Sequence, residues 1–134
     1  MARGARPRVD DRHGLNVKSM VGADIRNLIA TDAQVFLHYT SEAGYKAIKD
    51  SGVLRVSDKF AVYFTREALA PSEVGNVLFI GASTHEGRGT HVFVLRLDPG
   101  ILLEEHGWGI AEYITRQRIK LGQHEVLYEG KNPF

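Results

Sequence analysis

The chain has 134 residues, enough to bury one core without staples and the length of one compact domain. Its 17 Lys and Arg stand against 16 Asp and Glu, so no net field draws it to nucleic acid or to an anionic membrane, and the absence of cysteine excludes disulfides, thiolate metal sites and cysteine nucleophiles. With 43% hydrophobic and 25% charged residues it has the balance of an ordinary globular protein, and no run approaches the roughly 20 apolar residues of a transmembrane helix.

In chain order, residues 1 to 14 carry four arginines and no apolar periodicity, and read as a flexible leader without the apolar segment of a secretory signal. The folded domain is then expected over residues 15 to 134. Val17, Met20, Val21, Ile25, Leu28 and Ile29 recur at helical spacing and predict a packing helix over 17 to 30. "QVFLHYT" is β-branched and aromatic and reads as a strand; Thr40 or Ser41 then caps a helix that Gly52 closes. "VLRVS" and "AVYFT" are short strand candidates, and "REALAPSEVGN" is a helix-turn segment that Pro71 limits. "NVLFIGA", "THVFVLRLD" and "HEVLYEG" read as strands parted by turns, with "GWGIAEYITRQRIKLG" between the last two. The outline is an α+β domain with a mostly antiparallel sheet.

Three side chains stand where such strands meet turns or helices. Alternation through "VFLHYT" puts Val35, Leu37 and Tyr39 on one face and Phe36, His38 and Thr40 on the other, so His38 and Thr40 together can hydrogen-bond a polar ligand such as a ribose. A lone strand-end histidine is more often merely satisfied. Tyr63 in "FAVYFT" can stack on a planar ring, while Phe64 beside it is the better core residue. Glu125 opens the strand of "HEVLYEG"; alone it would be solvated punctuation, but with His38 and Tyr63 it completes a set suited to cleaving a nucleotide. His85, Glu86 and His91 lie close in sequence, yet their spacing fits no helical metal pair, and no phosphate loop or nucleophile elbow is present.

"LHYTSEAGYKAIKDSGVL", "AVYFT" and "HEVLYEG", in that order over residues 37 to 128, resemble the three motifs of the ADP-ribosyltransferase superfamily. The branch is the His-Tyr-Glu one, which holds diphtheria-toxin-like enzymes, poly(ADP-ribose) polymerases and small bacterial polymorphic toxins. The resemblance implies split antiparallel β-sheets around a cleft for NAD, with flanking helices. It gives His38 and Thr40 to the adenosine ribose, the backbone of Tyr39 to the nicotinamide carboxamide, Tyr63 to the nicotinamide ring, and Glu125 to the nicotinamide ribose and the positive charge formed as the glycosidic bond breaks. Tyr39 stands where many relatives have glycine; Phe79 substitutes for a second stacking tyrosine; Gln123, two positions before Glu125, is a target-binding candidate.

The implied activity is mono-ADP-ribosyl transfer to a cellular macromolecule, protein or RNA, with NAD as substrate and no metal. The implied setting is a toxin module delivered as a bacterial effector into the cytoplasm of a target cell, with a cognate immunity protein and no membrane partner. Rival readings keep the fold with water as acceptor (an NAD glycohydrolase) or with an RNA 2′-phosphate (a phosphotransferase), or make the chain a non-catalytic domain that binds ADP-ribose or a protein.

Overall fold

The computed structural model describes residues 14–54, 61–77, 89–101, 103–106 and 112–134, with the side chains of 14–20, 75–77 and 106 excepted. The first helix, α1 (Gly14–Thr31), matches the apolar spacing that predicts it. It leads into β1 (Val35–Thr40), and α2 (Glu42–Ser51) follows at once. Ser41 is the cap of α2, accepting the Gly44 N–H at 3.1 Å, and Gly52 ends it in the left-handed conformation at φ 72°. Then come β2 (Val53–Leu54) and β3 (Val62–Thr65); residues 55–60, which include the rest of "VLRVS", lie outside the described residues.

Pro71 bars a continuous helix through this segment, as expected, and itself opens a short one. The helix α3 (Pro71–Val77) begins on it, because a first helical residue needs no N–H partner, and Glu73 reaches back to accept the Ala70 N–H at 2.8 Å. Asn76 and Val77 therefore belong to this helix and not to the strand expected of "NVLFIGA"; residues 78–88, with Phe79, His85 and Glu86, lie outside the described residues. The remaining strands are β4 (His91–Arg96), β5 (Glu104–His106), β6 (Glu112–Thr115), β7 (Ile119–Lys120) and β8 (Glu125–Lys131), with a 3-10 turn, Leu121–Gln123, before the last.

Six strands form one antiparallel sheet in the order β5-β6-β3-β1-β4-β8, and β2 pairs with β7 in a separate ribbon. Among the described residues no helix is long and apolar enough to cross a membrane. One sheet face carries Val35, Leu37, Tyr39, Val92 and Val94, covered by Ile25 of α1, Val74 of α3 and Leu69. The other carries Phe36, Val62, Phe64, Phe93 and Leu95, covered by Tyr45 and Ile48 of α2 and by Leu54 and Ile119 of the ribbon. Burial on both faces explains why β4 reads as a near-continuous apolar run instead of an alternating one.

The seam between β1 and β3 differs from its neighbours. β1 pairs with β4 through six register positions, Val35↔Arg96 to Thr40↔His91, but with β3 through Leu37↔Thr65 alone. Arg66 holds that end of the seam: its Nη1 donates to the carbonyls of Asp32 at 3.2 Å and Val35 at 2.6 Å, its Nη2 donates to Ile29, and its guanidinium lies 5.5 Å from the Phe36 ring centroid. One cation thus satisfies carbonyls at the end of α1 and the start of β1. Beyond Leu37 the ladder stops and side chains take over.

Candidate functional site

Where the β1–β3 ladder stops, the His38 ring stands in the seam. Its Nδ1 lies 2.9 Å from the backbone oxygen of Tyr63 on β3. A carbonyl only accepts, so the proton sits on Nδ1 and Nε2 is left as an acceptor. Burial lowers the pKa of His38 from its ordinary 6.5 and the bond to the Tyr63 carbonyl raises it less, so the ring is neutral at pH 7. The Phe64 ring packs edge-on against it at 5.9 Å. What the seam offers a ligand at this point is a fixed, uncharged hydrogen-bond acceptor.

His38 and Thr40 share a face, as alternation requires. Thr40 is turned onto the first turn of α2: a Cβ placed on Gly44 would come 2.1 Å from its Oγ1. Only glycine lets the helix start this close to the strand. Tyr39 points to the opposite face and is 5% exposed. Its hydroxyl donates to the Glu67 carbonyl at 2.7 Å and accepts the Leu69 N–H at 2.8 Å, and burial holds the phenol far above its usual pKa. The size of residue 39 is explained by this tie, which secures the turn after β3 from beneath.

Tyr63 is half-buried and lies on the face of Thr65, while Phe64 is 2% exposed in the core on the other face. His38 and Tyr63 therefore meet through ring and backbone, and their side chains leave the sheet on opposite sides. Glu125 is not brought to them. It stands on β8, three strands from Tyr63 in the sheet order, a lateral separation of about 14 Å. There it accepts from Arg96, whose Nε donates to Asp32 at 2.6 Å, so it closes a charge triad over the sheet end. Asp32 has its pKa lowered by the Gln34 N–H and by Arg96. Gln123 is exposed in the 3-10 turn before β8.

A different carboxylate does adjoin Tyr63. Glu112, the first residue of β6, pairs with Thr65, and Ile114 pairs with Tyr63. Glu112 is thus the diagonal neighbour of Tyr63 on the same face, about 7 Å away by sheet geometry. It is half-buried, and Thr65 between them is 1% exposed. The signal for it was present in "AEYIT", a Glu opening a short aromatic and β-branched run, which is the same pattern that singles out Glu125 in "HEVLYEG".

His91 is 8% exposed beneath Tyr45, whose ring stacks on it at 5.0 Å, and its Nδ1 lies 2.9 Å from Thr90 Oγ1. No group of three metal-ligating side chains occurs among the described residues. No family model, curated protein or solved structure matches this chain.

Proposed function

We propose that the chain is an NAD-dependent mono-ADP-ribosyltransferase in which Tyr63 and Glu112, on one sheet face, form the reacting pair, and His38, on the other face, fixes the β3 backbone behind them. The observation that carries the reading is a half-buried aromatic on β3 with a half-buried carboxylate diagonal to it on β6 on the same face, over a backbone that a neutral His holds from the opposite face. The order His, Tyr, Glu along β1, β3 and β6 follows the resemblance of the motifs, with Glu112 in the role first given to Glu125.

When bound, NAD supplies a nicotinamide leaving group whose departure neutralises a positive ring nitrogen and leaves an oxocarbenium-like ribose. His38 donates its Nδ1–H to the Tyr63 carbonyl from the opposite face and so fixes the strand that carries the stacking ring, at no cost of burying a charge. The Tyr63 ring stacks on the planar nicotinamide and holds it for departure. Glu112 stabilises the developing positive charge, which is present in the transition state and nearly absent before it, so its effect falls on kcat. Delivery as a toxin, an acceptor macromolecule and an immunity protein that covers the site are proposals carried by the resemblance alone.

The test is nicotinamide release from NAD, with and without cell lysate. Wild type releases it; Glu112→Gln lowers the rate about 10²- to 10³-fold, the loss found for removal of one electrostatic stabiliser; Glu125→Gln stays within a few fold of wild type. A reversed order would give the role back to Glu125. Failure of the wild type to release nicotinamide under either condition would sink the enzyme reading.

A further inference from the structure

The strand that carries Glu112 runs on into the densest positive charge among the described residues. In "RQRIK", residues 116–120, Arg116, Arg118 and Lys120 are exposed and no acid stands between them. The whole chain is only +1, so this is a local concentration and not a net field. Ile119 is 0% exposed, which turns its neighbours Arg118 and Lys120 together to the solvent side, about 7 Å apart along an extended chain. Arg116 stands at the end of β6, where its Nε lies 3.9 Å from Oε2 of Glu104. Glu104 is the register partner of Ile114, and Ile114 that of Tyr63, so Arg116 reaches over the face of Tyr63 and Glu112.

We infer that this stretch is a docking surface for a single strand of RNA, which, resting on the function proposed above, is the acceptor of the ADP-ribosyl group. Cations at alternate residues of an extended chain lie at close to the spacing of successive phosphates along one nucleic-acid strand, and each neutralises one phosphate. Among the described residues no carboxylate pairs with Arg118 or Lys120, and Arg116 meets only the exposed Glu104, so little has to be broken for phosphates to bind. An acidic protein segment carries its charges on flexible side chains at no fixed interval; a nucleic-acid strand carries one at every residue. RNA adds a 2′-hydroxyl beside each phosphate, an O–H nucleophile that DNA lacks.

The stripe of cations ends at Arg116 on the face of the reacting pair, so a strand lying along it runs toward Glu112. In the transfer the C1′–N bond of NAD breaks with its electron pair going to nicotinamide. An RNA hydroxyl oxygen forms the new bond to C1′, and its proton passes to solvent water.

The probe is a fluorescent single-stranded RNA of about 20 nucleotides, its binding followed by anisotropy from about 50 to 200 mM salt. Wild type should bind with a slope of log K against log salt of about −2, the value for three phosphates of a single strand. The triple variant Arg116→Gln, Arg118→Gln, Lys120→Gln should lose that slope and bind at least roughly 10-fold more weakly at the lowest salt, with an unchanged urea midpoint. Arg118→Lys with Lys120→Arg keeps the charges and should bind as wild type does. With labelled NAD the same RNA should take up label, and the same sequence as DNA, which binds through its phosphates, should take up far less. Unchanged binding in the triple variant, displacement of the RNA by polyglutamate of equal charge, or equal labelling of DNA would overturn the proposal. A wild type that releases nicotinamide but binds no RNA would sink the docking surface and leave the function standing; one that binds RNA but releases no nicotinamide would do the reverse.

Discussion

His38 illustrates how a polar residue is kept in a strand where valine would pack more cheaply. Its ring fills a place in the β1–β3 seam that a ladder bond would otherwise occupy, giving the Tyr63 carbonyl a donor. Neutrality has a consequence for stability. The folded pKa lies below 6.5, the unfolded value. Above pH 6.5 both states are neutral and the ring adds no dependence on pH; as pH falls below that value the unfolded chain takes the proton first, so stability is lost toward the folded pKa. Urea unfolding at a series of pH values should therefore show wild type losing stability relative to His38→Gln as pH drops from 7 to 5.5. Parallel losses in the two proteins would mean that the ring is not held neutral by burial. Tyr39, its neighbour, carries its hydroxyl to the far face, where it is engaged with Glu67 and Leu69, so that the part the resemblance gives to this residue falls to its backbone alone.

At the scale of elements, β1 and α2 were legible because each carries its own local signal. Alternation sorts the two faces of β1, and Ser41 and Gly52 mark the ends of α2. β5 and β6 were not legible, being three and four residues long with no turn signature of their own, so only their pairing with each other and with β3 defines them. That is why Glu112 was missed and Glu125, at the head of a seven-residue strand, was not. The contact of β1 with α2 can be tested through Gly44. Alanine there gains up to about 1 kcal/mol of helix propensity, but its Cβ would lie 2.1 Å from Thr40 Oγ1 and force that hydroxyl aside. In wild type Gly44→Ala should be destabilising or neutral; on a Thr40→Ala background it should stabilise by roughly 0.5 to 1 kcal/mol. The double-mutant cycle measures the coupling, and additivity would show that the two residues do not meet.

At the scale of the molecule, the chain's end locks together elements that are remote in sequence. Asn132 is 3% exposed, and its amide Nδ2 donates both hydrogens, to the carbonyls of Leu69 and Gly89 at 2.8 Å each, while Oδ1 accepts the Phe134 N–H at 2.8 Å. Its backbone N–H donates to Thr90, so one residue joins the turn after β3 to the approach to β4. Leu69 is also bonded to Tyr39, and through it the clasp supports the strand that carries His38. Asn132→Ala orphans two buried carbonyls and one N–H, at a cost of about 2 to 4 kcal/mol in urea unfolding. Asn132→Asp keeps the shape but offers acceptors to two carbonyls, so it should cost more than alanine despite being nearly isosteric. If aspartate were the milder of the two, packing and not hydrogen bonding would be what Asn132 contributes. The seam can hold a fixed geometry without a full ladder because such side-chain ties, Arg66 at one end and Tyr39 with Asn132 at the other, secure the segments on either side of it.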